Sequence, residues 1–242
     1  MSQIGSPRTV IHIGPHRTGT TSFQRMLGDA SARLLTRGIW YPLAGRINHQ
    51  NLADELNETI GRLDHCTLSW ERVLAGTADC KTLILSAESF SFLSREEIGR
   101  IRDMLPEARI LIVLRNPVDW HRSCYGWRLT VGETPEWREF LERELERRTW
   151  RQFPRAVENW THVFSDHIVL VYERHRSSLL EGLLRAAGLD EEIPCVDTSI
   201  RHGVSEIRCE MDESTRRRIL SVYRDEIERL SSQFPLPEEY FA

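Results

Sequence analysis

The chain has 242 residues, of which 40% are hydrophobic and 28% charged, and its net charge is −4. Those proportions are ordinary for a globular protein with a full core, and the slightly acidic balance excludes bulk attraction to nucleic acid, so any anion site has to be local. No apolar run approaches the roughly 20 residues of a membrane span. The five cysteines, Cys66, Cys80, Cys124, Cys195 and Cys209, are odd in number and show no C-x-x-C spacing, which predicts reduced thiols and an intracellular, cytoplasmic setting. Gly14 and charged residues interrupt the first apolar run, so no secretory leader is expected. The length predicts one α/β domain over residues 1–242.

From the N-terminus, Thr9 to Ile13 is an apolar, β-branched run that reads as a buried strand. Gly14-Pro15 marks a turn, and Thr18 to Ser22 open a segment with Phe23, Met26, Leu27 and Leu34 at helical spacing. Strand, tight loop and helix in that order leave free N–H groups and the positive end of a helix dipole at the loop. Gly14 and Gly19 let an anion approach the backbone. Thr18, Thr20, Thr21 and Ser22 add hydroxyls, and Arg17 adds a cation. The simplest ligand is a phosphate or sulfate group. The spacing is that of the nucleotide P-loop, G-x-x-x-x-G-K-[ST], with one departure: Thr20 stands where the Lys belongs, and the cation is Arg17.

Further along, Gly38 to Pro42 reads as a short strand or extended turn, and Ala44 to Gln50 as a polar loop holding His49. Helices are expected over Asn51 to Leu63 and Leu68 to Leu74. Thr82 to Leu85 is a second buried strand, ending in Ser86-Ala-Glu88. Ser94-Arg-Glu-Glu97 has the form of a capping box, and Pro106 closes its helix. Arg109 to Arg115 is the most apolar run and the expected central strand. Asn116 and Pro117 then supply an N-cap and a first helical residue. Glu136 to Phe153, dense in Glu and Arg, reads as one amphipathic helix with Trp137, Leu141 and Leu145 inward, followed by a helix from Pro154 to Phe164. His167 to Tyr172 is a fourth strand, and Ser177 to Ala187 a helix ended by Gly188. Asp197 to Cys209 is polar and irregular, and Asp212 to Ser232 is a last amphipathic helix. Strands alternating with helices predict a three-layer α/β fold, a mostly parallel central sheet flanked by helices and P-loop-like at its first strand.

Arg115 falls at the C-terminal edge of the expected central strand, where open α/β sheets bind ligands. Ser123 lies eight residues further, about two turns into the next helix, so the pair can grip a second anion. A nucleoside triphosphatase would instead show an Asp near a strand end to help hold magnesium. The strand ends here are Gly14, Glu88, Arg115 and Glu173. Two anion sites and no metal site suggest a ligand with phosphates at two separate places.

His16-Arg-Thr-Gly-Thr-Thr-Ser22 resembles the 5′-phosphosulfate-binding loop of sulfotransferases that use 3′-phosphoadenylyl sulfate (PAPS). Arg115-Asn-Pro117 with Ser123 resembles that family's 3′-phosphate-binding motif, and Val171-Tyr-Glu173 is similar to a weaker third feature. The resemblance covers residues 8 to 190. It implies PAPS as sulfuryl donor, 3′,5′-ADP as product, no metal, and a hydroxyl-bearing acceptor that is a carbohydrate, another glycan or a small molecule. A homodimer is allowed; nucleic acid is not an expected partner. By the resemblance, Arg17 takes the place of the family's loop Lys, with the same charge and a different hydrogen-bond geometry. Arg17, Thr18, Gly19, Thr20, Thr21 and Ser22 would bind the 5′-phosphosulfate, and Arg115 and Ser123 the 3′-phosphate. Arg201-His-Gly203 stands in a region suited to the family's Arg-Lys-Gly loop.

Sulfuryl transfer to a hydroxyl is an in-line displacement at sulfur that needs alignment, charge stabilisation and a base. Arg17 and the loop N–H groups would stabilise charge. His49 and Glu88 are the two candidate bases. His49 has an ordinary pKa of about 6.5 and, by the resemblance, stands where a base-bearing segment follows the first motif. Glu88 ends a strand beside the central one. The expectation favours His49 as base, with Glu88 orienting it, the acceptor or Arg17. His16 reads as structural. Trp40, Tyr41, Trp120, Tyr125 and Trp127 either line an acceptor cleft or belong to the core. Two rival functions stay open at this point. A P-loop nucleotide or small-molecule kinase needs a Lys after Gly19 and a metal-binding Asp. A non-catalytic nucleotide-binding module would bind PAPS and modify nothing.

Overall fold

The computed structural model describes residues 7–43, 47–57, 68–199 and 211–241. Five strands, β1 (Arg8–Ile13), β2 (Ile39–Trp40), β3 (Thr82–Ala87), β4 (Arg109–Leu114) and β5 (His167–Val171), pair in parallel throughout, in the order β2-β3-β1-β4-β5. The helices among the described residues are α1 (Thr20–Thr36), α2 (Gln50–Leu56), α3 (Trp70–Gly76), α4 (Arg95–Met104), α5 (Pro117–Thr130), α6 (Trp137–Glu146), α7 (Gln152–Val163), α8 (Leu179–Ala186), α9 (Glu213–Val222) and α10 (Arg224–Ser231).

β1, β3 and β4 are almost wholly buried, as their continuous apolar runs require of strands covered on both faces. Successive side chains point to opposite faces. Ile11, Ile13, Leu85 and Ile112 therefore pack with Ile98 and Ile101 of α4 and Phe153 and Trp160 of α7. Val10, Ile84, Leu111 and Val113 pack with Phe23 and Leu27 of α1 and Leu183 and Leu184 of α8. Each such side chain contributes about 1.5–3 kcal/mol by leaving water. The chain leaves β1 toward one edge, returns to β3 beside it, then crosses to β4 on the other side. The connections therefore diverge over the C-terminal ends of β1, β3 and β4, where such sheets hold ligands.

The expected caps form. The Ser94 hydroxyl accepts from the Glu97 N–H while the Glu97 carboxylate accepts from the Ser94 N–H, and Asn116 caps α5 by accepting from the Val118 N–H at 2.8 Å, with Pro117 at the first helical position. Two expected helices break. Glu136 to Phe153 is not one helix: Arg148 takes a left-handed conformation (φ 48°) and a 3₁₀ turn over Thr149–Arg151 precedes α7. The cause is tertiary. The Arg148 guanidinium donates to the Val222 carbonyl at 2.7 Å and to the buried Glu226 carboxylate, which also accepts from Arg151. The turn also sends Trp150 inward to donate to the Arg115 carbonyl at 2.9 Å. Asp212 to Ser232 divides at Tyr223, whose fully buried ring stacks on His121 with its hydroxyl 3.1 Å from Nε2. Of the helix expected over Asn51 to Leu63, α2 covers residues up to Leu56, and residues 58–67 lie outside the described ones, as do Arg201, His202 and Gly203. Cys80, Cys124 and Cys195 are free thiols. Among the described residues no helix is long and apolar enough to cross a membrane.

Candidate active site

The turn from β1 into α1 holds two left-handed residues, Arg17 (φ 70°) and Gly19 (φ 85°). Gly19 is the N-cap of α1, and no side chain caps the first turn, so the leading N–H groups of the helix are left for a ligand. Gly19 also has no room for a side chain: a Cβ there would lie 2.5 Å from Leu179 Cδ2 on α8. Gly14 is required by space alone, since a Cβ would lie 2.8 Å from Thr20 Oγ1 and 3.0 Å from His12 Nε2 and Thr18 Oγ1.

The four expected hydroxyls divide into two groups. Thr18 is fully buried and donates to the Pro15 carbonyl at 2.7 Å; Thr20 lies 3.1 Å from Thr18 Oγ1 and 3.4 Å from the Gly14 carbonyl. These two stitch the loop to itself. Thr21 is half-buried at the opening of the helix, and Ser22 is buried.

Three residues of the second motif clamp the loop from outside. Arg17 Nε donates to Ser123 Oγ at 3.0 Å. Trp120 Nε1 donates to the His16 carbonyl at 2.8 Å. Arg115, at the end of β4, donates through Nη1 to the Arg17 carbonyl, and its guanidinium lies 4.4 Å from the centroid of the Tyr172 ring, a cation–π distance. Arg115 Nε is a buried hydrogen-bond donor with no partner among the described residues, and no ion pair forms there to Arg115. Burial holds the Arg17 guanidinium below its usual range, with Arg115 acting the same way and Cys124 opposing. The Cys124 thiol, beside Ser123, is pushed up to about 12 by burial and so sits next to Arg17 as a neutral group. The structure thus brings Arg17, Thr18, Gly19, Thr20, Thr21, Ser22, Arg115 and Ser123 to one place, at the C-terminal ends of β1 and β4.

Behind this lies a second tier. The Asn116 N–H donates to Glu173 Oε1 at 3.0 Å, Asn116 Nδ2 donates to the Glu239 carbonyl, and the Tyr240 hydroxyl donates to Glu173 Oε2 at 3.3 Å. Burial pushes the Glu173 carboxyl up, the Asn116 N–H and nearby Arg115 opposing it.

Glu88 follows β3 and is half-buried. Its Oε2 accepts from Gln24 Nε2 at 3.3 Å; among the described residues it forms no ion pair with Arg17 or Arg115. His49 is differently placed from the expectation of a base. Its ring is 1% exposed. Nδ1 accepts from the Ser86 N–H at 2.8 Å, which puts the ring proton on Nε2, where it is donated to the Pro42 carbonyl at 2.7 Å. Both nitrogens are engaged by backbone, and burial lowers the pKa to about 4. In this arrangement no lone pair of His49 is left to take a proton from an acceptor. His16 is exposed, its ring 6.1 Å from that of the exposed Phe92. Of the aromatic residues considered for an acceptor cleft, Tyr41 and Trp120 are core, Trp40 and Tyr125 are half-buried, and Trp127 is exposed. Among the described residues no group of three His, Cys, Asp or Glu side chains converges as a metal site would.

The chain is similar to the solved structure of a sulfotransferase from Alicyclobacillus acidocaldarius, with 21% identity, a TM-score of 0.65, and 93% of this chain and 94% of that one covered. It is also similar to retinol dehydratase in complex with androsterone and the inactive cofactor PAP, with 15% identity, a TM-score of 0.53, and 94% and 82% of the two chains covered. Comparison with curated proteins gives no match. At these identities the two structures establish a shared fold. The model of the sulfotransferase domain family matches residues 9–241, from β1 through Tyr240 behind Arg115, and so takes in the whole constellation. By that match the chain belongs to the sulfotransferase family.

Proposed function

We propose that this sulfotransferase takes its sulfuryl group from PAPS and transfers it to a hydroxyl of a carbohydrate, glycan or small-molecule acceptor, with Glu88 rather than His49 receiving the proton. The observation that carries the reading is the junction of the two motifs: Arg17 Nε on Ser123 Oγ at 3.0 Å, and the Arg115 guanidinium on the Arg17 carbonyl. Two cations held side by side and half-buried repel each other. An anion between them relieves that repulsion and gives the orphaned Arg115 Nε an acceptor.

The donor supplies an activated sulfuryl group bonded through oxygen to its 5′-phosphate. The uncapped first turn of α1 and Arg17 hold the phosphosulfate and stabilise the charge that builds on the departing phosphate oxygen. Arg115 and Ser123 hold the 3′-phosphate. Ser123 Oγ accepts from Arg17, so its own hydroxyl proton is available to a phosphate oxygen. Glu88 takes the acceptor's proton as the acceptor oxygen bonds to sulfur, and 3′,5′-ADP leaves. The exposed faces of Phe92 and Trp127 suit a sugar ring or an apolar alcohol; retinol dehydratase, which shares the fold, is described with androsterone.

Thermal unfolding with nucleotides tests the donor. 3′,5′-ADP should raise the melting temperature without magnesium, by mass action worth about 2.7 kcal/mol at a hundredfold excess over Kd. Stabilisation by ATP with magnesium and none by 3′,5′-ADP would refute the proposal in favour of a kinase.

A further inference from the structure

We infer that Gln24 positions Glu88 for proton transfer, through a buried hydrogen-bonded chain that runs from His12 to the carboxylate. The inference rests on the reading of Glu88 as base. Gln24 lies on α1 one turn beyond Thr20 and is 1% exposed. An amide so buried is costly unless its hydrogens are placed. Nε2 carries two, and it has two acceptors: Ser86 Oγ at 3.2 Å and Glu88 Oε2 at 3.3 Å.

Ser86 Oγ, which accepts from Gln24, also shares a hydrogen bond with His12 Nδ1 at 2.9 Å, with either the hydroxyl or the ring N–H as donor. His12 is fully buried, edge-on to Phe23 with ring centroids 5.0 Å apart. Burial lowers its pKa to about 3, so it stays neutral and adds no charge beneath the loop. The Ser86 backbone is pinned as well: its N–H donates to His49 Nδ1 and its carbonyl accepts from the His49 N–H at 3.0 Å. β1, β3 and α2 therefore fix Ser86, Ser86 fixes the Gln24 amide, and the amide fixes one carboxylate oxygen relative to the first turn of α1. That turn is the element assigned to the sulfuryl group, so the base, through the Gln24 amide, and the sulfuryl group are both positioned from α1. This also gives His49 a role, as the buttress of Ser86.

Gln24 is a positioning residue, and its contribution is read from 3′,5′-ADP release from PAPS with two kinds of acceptor. Water and methyl β-glucoside must lose a proton in the reaction; 4-nitrophenol in mildly alkaline buffer has already lost it. Misplacing a reacting group by about 1 Å costs on the order of 10²-fold. Gln24→Leu, and the more adaptable Gln24→Met as a second variant, should lower kcat by about that factor with the neutral acceptors. Both should leave 4-nitrophenolate turnover and 3′,5′-ADP affinity within about threefold of wild type, the affinity also certifying the fold. In a Glu88→Gln background the same substitutions should cost nothing further, because residues that act as a unit are non-additive. Equal losses with both acceptors, weakened 3′,5′-ADP binding, or full additivity with Glu88→Gln would overturn the inference. The base assignment fails separately, if Glu88→Gln alone keeps its kcat with the neutral acceptors.

Discussion

Replacing Arg115 by Ala removes three things of unequal kind. The first, under the proposed reading of the donor, is the charge-assisted contact to a 3′-phosphate, worth about 1.5–3 kcal/mol. At about 1.4 kcal/mol per decade, that is roughly 10- to 150-fold in affinity. The second is the Nη1 hydrogen bond to the Arg17 carbonyl, worth about 0.5–1.5 kcal/mol or roughly 2- to 12-fold. It holds a left-handed loop residue in place. The third is the contact over Tyr172 at 4.4 Å, about 0.5–1 kcal/mol. Only the first depends on the 3′-phosphate. Titration calorimetry of 3′,5′-ADP and of AMP against wild type and Arg115→Ala separates them. AMP should weaken by the loop and ring contributions, and 3′,5′-ADP by those and the further 10- to 150-fold. Arg115→Lys should fall between, since it keeps the charge and loses the planar fork. Equal losses for the two nucleotides would show that Arg115 acts through the loop alone, and the second anion site would have to lie elsewhere.

Three further outcomes follow from the packing. Gly14→Ala drives a methyl into three polar atoms within 3.0 Å and should cost about 1–3 kcal/mol in denaturant unfolding, whereas Gly99→Ala, in α4 with nothing within 4 Å, should gain about 0.5–1 kcal/mol; the same sign for both would contradict the geometry at Gly14. Glu226→Ala should cost about 1–3 kcal/mol, not more, because Arg148 and Arg151 remain partly in water at 37% and 55% side-chain exposure; a loss below about 0.5 kcal/mol would deny Glu226 its role at the Arg148 break. His12, His49 and His121 are held by burial at about 3, 4 and 3, against about 6.5 in an unfolded chain. The unfolded chain then binds the extra protons, so their contribution is complete above about pH 6.5 and declines as pH falls toward 4; urea midpoints that stay level from about pH 7.5 to about pH 5 would refute this.

The parts of the fold that were legible in the sequence are those fixed by neighbours along the chain. The apolar runs of β1, β3 and β4, the turn at Gly14-Pro15, and the caps at Ser94 and Asn116 all follow from residues within a few positions of one another. The helix breaks at Arg148 and Tyr223 were not legible, because amphipathic spacing continues across both and the partners are remote: Val222 and Glu226 for Arg148, His121 for Tyr223. His49 misleads for the same reason. A polar loop with one histidine invites a functional reading, and only the folded chain brings Ser86 and Pro42 onto both ring nitrogens. Gln24 gave no signal at all. It follows Phe23 and precedes Met26 in an ordinary helical stripe, and its two acceptors come from β3 and the residues just beyond it. The loop between β1 and α1 stood out as a candidate anion site because cation, glycines and hydroxyls crowd one short stretch; that Thr18 and Thr20 turn inward was not legible.

The tier behind Arg115 sets a sequence of events during synthesis. Asn116 is tied to a carboxylate 57 positions later and to a carbonyl 123 positions later, among the most non-local bonds in the molecule. Chains emerge N-terminus first and fold as they emerge, and contacts this distant form late. All five strands have been made well before Glu239 and Tyr240 are available. A nascent chain can therefore complete its sheet, with Glu173 already in reach of the Asn116 N–H, while the contacts of Glu239 with Asn116 and of Tyr240 with Glu173 are still to be made.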